Sequence, residues 1–351
     1  MSLERLLSLV LTQKASDMYI VPGARVMAKI QDQLEPLSEE KLDLKACEAL
    51  IRQIYQSADQ RSIDRLTLDG DDDFSFGLAR MGRFRCSAFR QRGTLAAVLR
   101  VVPFDLPNAE ALHIPPAVLN LSARRRGMAL VTGPAGSGKT TTLACIIDRI
   151  NAQLSGHIIT LEDPIEYIHP HKRCLVTQRE ITNDTRDFAL ALRASLRQAP
   201  DVILLGEMRD FKTIQTALTA AETGHLLLST LHTLGASKTI DRIIDVFPAA
   251  QQQQVRIQLS MVLQAVVSQQ LIPAVGGGIV PVFEVMLVNS AIANMIRENK
   301  TQQIDNVIYA GSAEGMVAMD NDILRLYRNG SITRENALLY AINPDTLLKR
   351  L

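Results

Sequence analysis

The densest chemistry in the chain lies in GPAGSGKTTT, residues 133–142. Gly133, Pro134, Ala135, Gly136, Ser137, Gly138, Lys139, Thr140 and Thr141 fit the pattern G-x-x-x-x-G-K-[ST], the P-loop. Its glycines let successive backbone N–H groups turn inward around a polyphosphate. The helix that follows adds the partial positive charge of its N-terminus. Lys139 is the cation for the β- and γ-phosphates, and the Thr140 hydroxyl is placed to hold Mg²⁺. Before the loop, MALVT (128–132) reads as a buried strand. After it, TTLACIIDRI (141–150) reads as a helix with Leu143, Ile146, Ile147 and Ile150 on one face. The four required positions coincide by chance in roughly one chain in a hundred of this length. Strand–loop–helix context makes accident rarer still, so the segment reads as a nucleotide site that takes ATP with Mg²⁺.

Ligands in an open α/β sheet sit at the carboxyl ends of the strands. After HIITL come Glu162, Asp163 and Glu166; after VILLG comes Glu207; after LLLSTL comes His232. Any one of these alone is an ordinary exposed polar residue, but three strand ends converging beside a P-loop read as a site. The usual Walker-B Asp is replaced here by Gly206. That leaves Glu207 as the metal-water ligand and Glu166 to polarise the attacking water. Arg85 and Arg100 lie far away in sequence, either as surface charge or as cations reaching a γ-phosphate held by another subunit. HPH (169–171) reads as a polar loop, DGDDD (69–73) and Arg124–Arg126 as solvated turns.

These residues need elements to position them. A chain of 351 residues with 47% hydrophobic residues and no tryptophan suits two domains with aliphatic cores. Net charge of +1 and the lack of an aromatic-and-basic face argue against nucleic acid as a partner. Four scattered cysteines without a C-x-x-C pair fit a reducing compartment. The early LLSLVL is too short for a signal-peptide core, and no run reaches membrane-spanning length. The expectation is a cytoplasmic protein whose membrane link comes through a partner.

The first hundred residues read as α+β, with helices over 2–13 and 43–56. Strands fall around MYIV, RVMAKI, DFSFGLA, GRFRCSAFRQ and LAAVLRVV. Pro-rich residues 104–116 read as a linker. Beyond it MALVT, HIITL, VILLG, LLLSTL and IVPVFEV alternate with helical stretches. This predicts a parallel sheet covered on both faces, helical from about residue 286 onward. QQQQ (251–254) reads as the wet face at the start of a long helix.

GPAGSGKTTTLA, HIITLEDPIEY, VILLGEMRD and AETGHLLLSTLHT, in that order, resemble the secretion and type IV pilus ATPase superfamily. ASDMYIVPG, GRFRCSAFRQ and SAIANMIRE narrow the resemblance to the twitching-motility retraction ATPases, the PilT family. It implies an α/β chain with a PAS-like domain over 1–103, the linker, and a RecA-like P-loop ATPase domain over 117–351. It also implies a cytoplasmic homohexamer, peripherally associated with the inner membrane through a pilus platform protein, with a paralogous retraction ATPase as a further partner. By motif, Glu166 matches the general base and Glu207 the Walker-B acid. His225 and His232 match the His box that senses the γ-phosphate, and Arg85 and Arg100 the paired arginines. His225 begins its strand and so is the outlier. A PilU-like accessory subunit with low turnover shares several of these motifs, whereas GEMRD and STLHT favour the retraction motor. An assembly or secretion ATPase would carry a paired C-x-x-C insertion that this chain lacks. SAIANMIRENK (290–300) resembles the retraction family's AIRNLIRE motif, departing at Ala293 and Met295. It predicts a helix with Ile292, Met295, Ile296 and Asn299 on one face and Arg297 and Glu298 on the other.

Overall fold

Leu3, Leu6, Leu7 and Val10 recur at helical spacing, and in the computed structural model all four are buried along α1 (Leu3–Thr12). The structure describes residues 2–31, 33–79, 81–102, 106 and 108–351. Two units emerge, Met1–Asp105 with Pro164–Ile168, and Leu106–Asp163 with His169–Leu351. Of the expected linker, residues 104, 105 and 107 lie outside the described residues.

In the first unit, β1 (Asp17–Ile20), β2 (Arg25–Ile30) and β3 (Gln33–Lys41) are followed by α2 (Leu44–Ser57) and α3 (Asp64–Asp69). Then come β4 (Asp71–Leu78), β5 (Gly82–Gln91) and β6 (Thr94–Val102). The strands form one antiparallel sheet ordered β3-β2-β1-β6-β5-β4. Its core joins Leu6 and Leu7 of α1 to Ile51 and Ile54 of α2 and to Met18 and Phe84. The acidic DGDDD stretch is solvated only in part: Asp69, Asp71 and Asp73 are exposed. Asp72 enters β4 at 1% exposure. It accepts from Tyr55 Oη at 3.0 Å and from Arg61 Nη2 at 2.8 Å. A buried carboxylate is tolerated only when paired and hydrogen-bonded, and Arg61, stacked over Phe74, supplies that.

The second unit opens with α4 (Pro116–Leu119), β7 (Gly127–Thr132), α5 (Lys139–Gln153), β8 (His157–Glu162) and β9 (Leu175–Glu180). There follow α6 (Phe188–Ser195), β10 (Val202–Leu205), α7 (Phe211–Glu222), β11 (Leu226–Leu231), α8 (Ala236–Asp245) and α9 (Ala249–Val262). Next are β12 (Leu263–Pro273), β13 (Ile279–Leu287), α10 (Ser290–Arg297), α11 (Ile304–Ala310), α12 (Met319–Arg328), α13 (Arg334–Tyr340) and α14 (Pro344–Leu348). The sheet order is β13-β12-β7-β11-β10-β8-β9. Its two faces are visible in β7 itself. Met128 and Leu130 join a core with α6–α9, while Ala129 and Val131 join a second core with α5. The alternation predicts IVPVFEV in the parallel set; it is instead β13, antiparallel to β12 through a Gly-rich hairpin. No helix among the described residues is long and apolar enough to cross a membrane. All four cysteines are buried and unbridged.

Candidate active site

β7 ends at Thr132 and α5 begins at Lys139, so the six residues between them form the predicted loop. Gly133 and Gly138 take φ of 142° and 85°, where an L side chain is strained. Space forbids one as well. A Cβ on Gly133 would collide with the Gln269 carbonyl, and one on Gly138 would lie 2.8 Å from Gln269 Nε2. Gln269 thus forms a floor beneath the loop, and its Oε1 accepts from Thr142 Oγ1 at 2.7 Å. The Lys139 ammonium, on a side chain 9% exposed, donates to the carbonyls of Gly133 and Pro134 at 3.0 and 2.8 Å. Pro134, Ala135 and Gly136 are exposed, while Thr140 and Thr141 are half-buried. The N-cap of α5 is Gly138, which has no side chain to satisfy the first helical N–H groups. Ser137 Oγ is buried with no hydrogen-bond partner among the described residues. A helix start without a side-chain cap, a buried cation and an orphan hydroxyl together fit a polyphosphate.

Glu207 and His232 are brought together from the ends of β10 and β11. Glu207 Oε2 lies 3.2 Å from His232 Nε2, and Glu207 Oε1 pairs with Arg209 Nη2 at 2.6 Å. The Glu207 side chain is 12% exposed and that of His232 53%, so the acid is inside and the imidazole at the rim. His232 borders a cavity of about 590 Å³, lined also by Met208, Arg209, Leu231 and Arg242. Gly206 is hemmed in. A Cβ there would sit 3.2 Å from the Leu161 carbonyl and 3.4 Å from Glu162 Cα, which disfavours the usual Asp. Glu162 itself is buried, accepting from Thr160 Oγ1 at 2.6 Å and Gln178 Nε2 at 3.2 Å.

His225 is not part of this group. It precedes β11, with Nδ1 3.0 Å from the Ala220 carbonyl and 3.2 Å from Thr223 Oγ1. The strand between the two histidines separates them by about 20 Å at 3.3 Å per residue. HPH is only partly a polar loop: His171 is exposed, but His169 is 5% exposed. No group of three or more His, Cys, Asp or Glu that could hold a metal exists among the described residues. Thr140, half-buried in the first turn of α5, and Glu207, just after β10, both offer hard oxygen donors of the kind Mg²⁺ favours.

Glu166, exposed, belongs to the segment that clusters with the first unit. There it lines a cavity of about 220 Å³ with Arg85 and Arg100. The two arginines, fifteen positions apart, face each other directly across β5 and β6. Like charges so placed repel. Arg100 also stands opposite Asp17 on β1, and its Nε donates to Asp17 Oδ1 at 2.8 Å. Sequence reading missed Arg209, Ser268 and Gln269. For the last two the signal was there, the polar SQQ interrupting the apolar AVV and LI of β12.

Residues 1–335 match the family described as type II/IV secretion system protein. The chain is 43% identical over 98% of its length, and 99% of the relative's, to the "Type IV pilus retractation ATPase PilT" of Pseudomonas aeruginosa. It is 37% identical to the "Type IV pilus ATPase PilU" of the same organism, covering 99% of this chain and 90% of that one. The crystal structure of the pilus retraction motor PilT with bound ADP superimposes with a TM-score of 0.92, at 43% identity and over 100% of both chains. With the phosphate loop, the strand-end acid and the match over nearly its whole length, the chain belongs to the type II/IV secretion system protein family.

Proposed function

We propose that this chain is the ATP-driven motor of type IV pilus retraction. The chain is an ATPase, and the observation that carries the reading is the phosphate loop with Lys139 inside it, in a fold that superimposes over its full length on an ADP-bound retraction motor. Lys139 and the loop N–H groups bind the phosphates, and Gly138 and the start of α5 orient them. When bound, Mg²⁺ neutralises charge on the β- and γ-phosphate oxygens; Thr140, and Glu207 through water, would hold it. Glu166 takes the proton from the water that attacks the γ-phosphorus, and the bridging oxygen leaves with ADP. His232 reads the γ-phosphate at the Glu207 edge of the site. His225 and the arginines Arg85 and Arg100 are assigned by motif alone, the arginines as cations for the transferring phosphoryl group.

Residues 1–103 are the PAS-like domain and 117–351 the RecA-like domain, working as a cytoplasmic homohexamer on the inner-membrane pilus platform protein. A PilU-like paralogue is a further partner. The higher identity to PilT, 43% against 37% for PilU, favours the motor over the accessory subunit. The test is Lys139→Ala. Nucleotide affinity and ATP turnover should fall at least about a hundredfold, and cells carrying only this variant should lose twitching. Wild-type turnover in Lys139→Ala would sink the assignment; lost turnover with retained twitching would leave an ATPase that is not the motor.

A further inference from the structure

Thr132, Ser268 and Glu284 occupy one row across three adjacent strands, β7, β12 and β13. Residues in such a row share a sheet face. All three are buried. Ser268 Oγ lies 2.7 Å from Thr132 Oγ1 and accepts from the Gly235 N–H at 3.0 Å. Glu284 Oε1 accepts from the next amide, Ala236 N–H, at 2.8 Å. Two consecutive amides at the start of α8 are therefore clamped by two buried acceptors. One acceptor is also bonded to the residue directly before the phosphate loop. Gly235 takes φ of 96°, so the corner has little freedom to reach these bonds any other way with a different residue. His232 lies three positions before Gly235, with Nε2 on Glu207.

We propose that Ser268, with Glu284 beside it, is a positioning residue that fixes the His232 corner, and through it Glu207, in register with the phosphate loop. This rests on the reading of His232 and Glu207 given under Proposed function. Ser268 touches no phosphate on this account; it acts through the corner. A displacement of about 1 Å among reacting groups costs on the order of a hundredfold in rate, so loss of one of two clamps should cost about tenfold. The loss should appear in kcat, since the phosphate loop that sets ATP affinity is retained.

The experiment uses the full chain and compares Ser268→Ala, His232→Ala and the double variant by ATP turnover, KM for ATP, ADP affinity and thermal unfolding. Glu284→Gln, which keeps an acceptor for Ala236, and Glu284→Leu, which does not, accompany them. Expected are a roughly tenfold lower kcat in Ser268→Ala with KM and ADP affinity within about twofold. Ser268→Ala should add nothing in the His232→Ala background, and Glu284→Gln should stay closer to wild type than Glu284→Leu. Should Glu284→Leu fail to fold, the serine cycle decides alone. Unchanged kcat in folded Ser268→Ala, beside an impaired His232→Ala, overturns the proposal and leaves the site reading standing. Equal losses in both backgrounds overturn it too, because the serine would then act elsewhere. Wild-type turnover in His232→Ala instead removes the reading of His232, and this proposal with it.

Discussion

A lysine ammonium taken out of water needs partners, and Lys139 finds two carbonyls of its own loop. Neutral carbonyls hold a cation less strongly than phosphate oxygens do, so the loop keeps the charge in place without competing for it. Glu207 is likewise held at both oxygens, by Arg209 and His232. Glu166 differs: it is exposed and beside two arginines, which suits a group that must exchange protons with water. Glu166→Gln should bind ATP about as well as wild type and turn it over at least about a hundredfold more slowly, since only proton transfer is removed. The paired measurement is ATP affinity by equilibrium binding and phosphate release at saturation. Equal turnover in the two proteins would end the assignment of Glu166 as base. The loop and the strand-end acids were legible because their chemistry follows from residue type and local spacing. Arg209 was not, because its carboxylate partner is fixed by how a side chain turns back after β10.

Among the elements, legibility followed polarity contrast. The apolar strands β7, β8, β10 and β11 stand out from their helical neighbours, and GRFRCSAFRQ alternates as β5 should. β3 escaped notice because it is an exposed edge strand carrying Pro36 and three glutamates, features that keep edges from pairing further. β12 escaped because it follows α9 without a loop, Val262 to Leu263, so the helical period hides the change. The spacing predicts Asn299 on a helical face, but it lies beyond α10 with φ of 60° and is exposed. The buried His169 before β9 also carries a prediction. Burial, the larger cause, pushes its pKa down to about 4, with the nearby Asp148 opposing and Lys172 assisting. Below about pH 6.5 the unfolded chain takes up a proton that the folded chain refuses until pH approaches 4. The neutral ring's contribution is therefore complete above pH 6.5 and is lost as pH falls toward 4, by up to about 3 kcal/mol. Urea midpoints for unfolding of the second unit should fall over that window, and fall less in His169→Gln. Parallel slopes in the two proteins would place the acid sensitivity elsewhere.

At the scale of the whole molecule, the phosphate loop before α5 and the segment that resembles AIRNLIRE in α10 are separate parts of the chain. α10 begins at an Asn289 cap that accepts from the Ile292 N–H, and it sets Ile292 and Ile296 into the core against α9. Its charged end faces outward: Arg297 and Glu298 are exposed, and the Glu298 carboxylate takes Lys300 Nζ at 2.6 Å and Asn294 Nδ2 at 3.1 Å. Exposed pairs of this kind contribute little to stability. Neither side chain is within the group formed by the phosphate loop, Glu207 and His232. If the segment that resembles AIRNLIRE serves the motor's output, Arg297→Ala and Glu298→Ala should fold normally and keep ATP turnover within about twofold, since surface changes of this type are nearly neutral. Retraction should nevertheless be lost. Ala293→Arg should be tolerated in both respects, because position 293 is only half-buried and the motif carries Arg there. The measurement pairs ATP turnover in vitro with twitching or bead-pulling force in cells expressing each variant. Parallel loss of both activities would assign the segment to folding or assembly. Loss of neither would show that force leaves the molecule through some other surface.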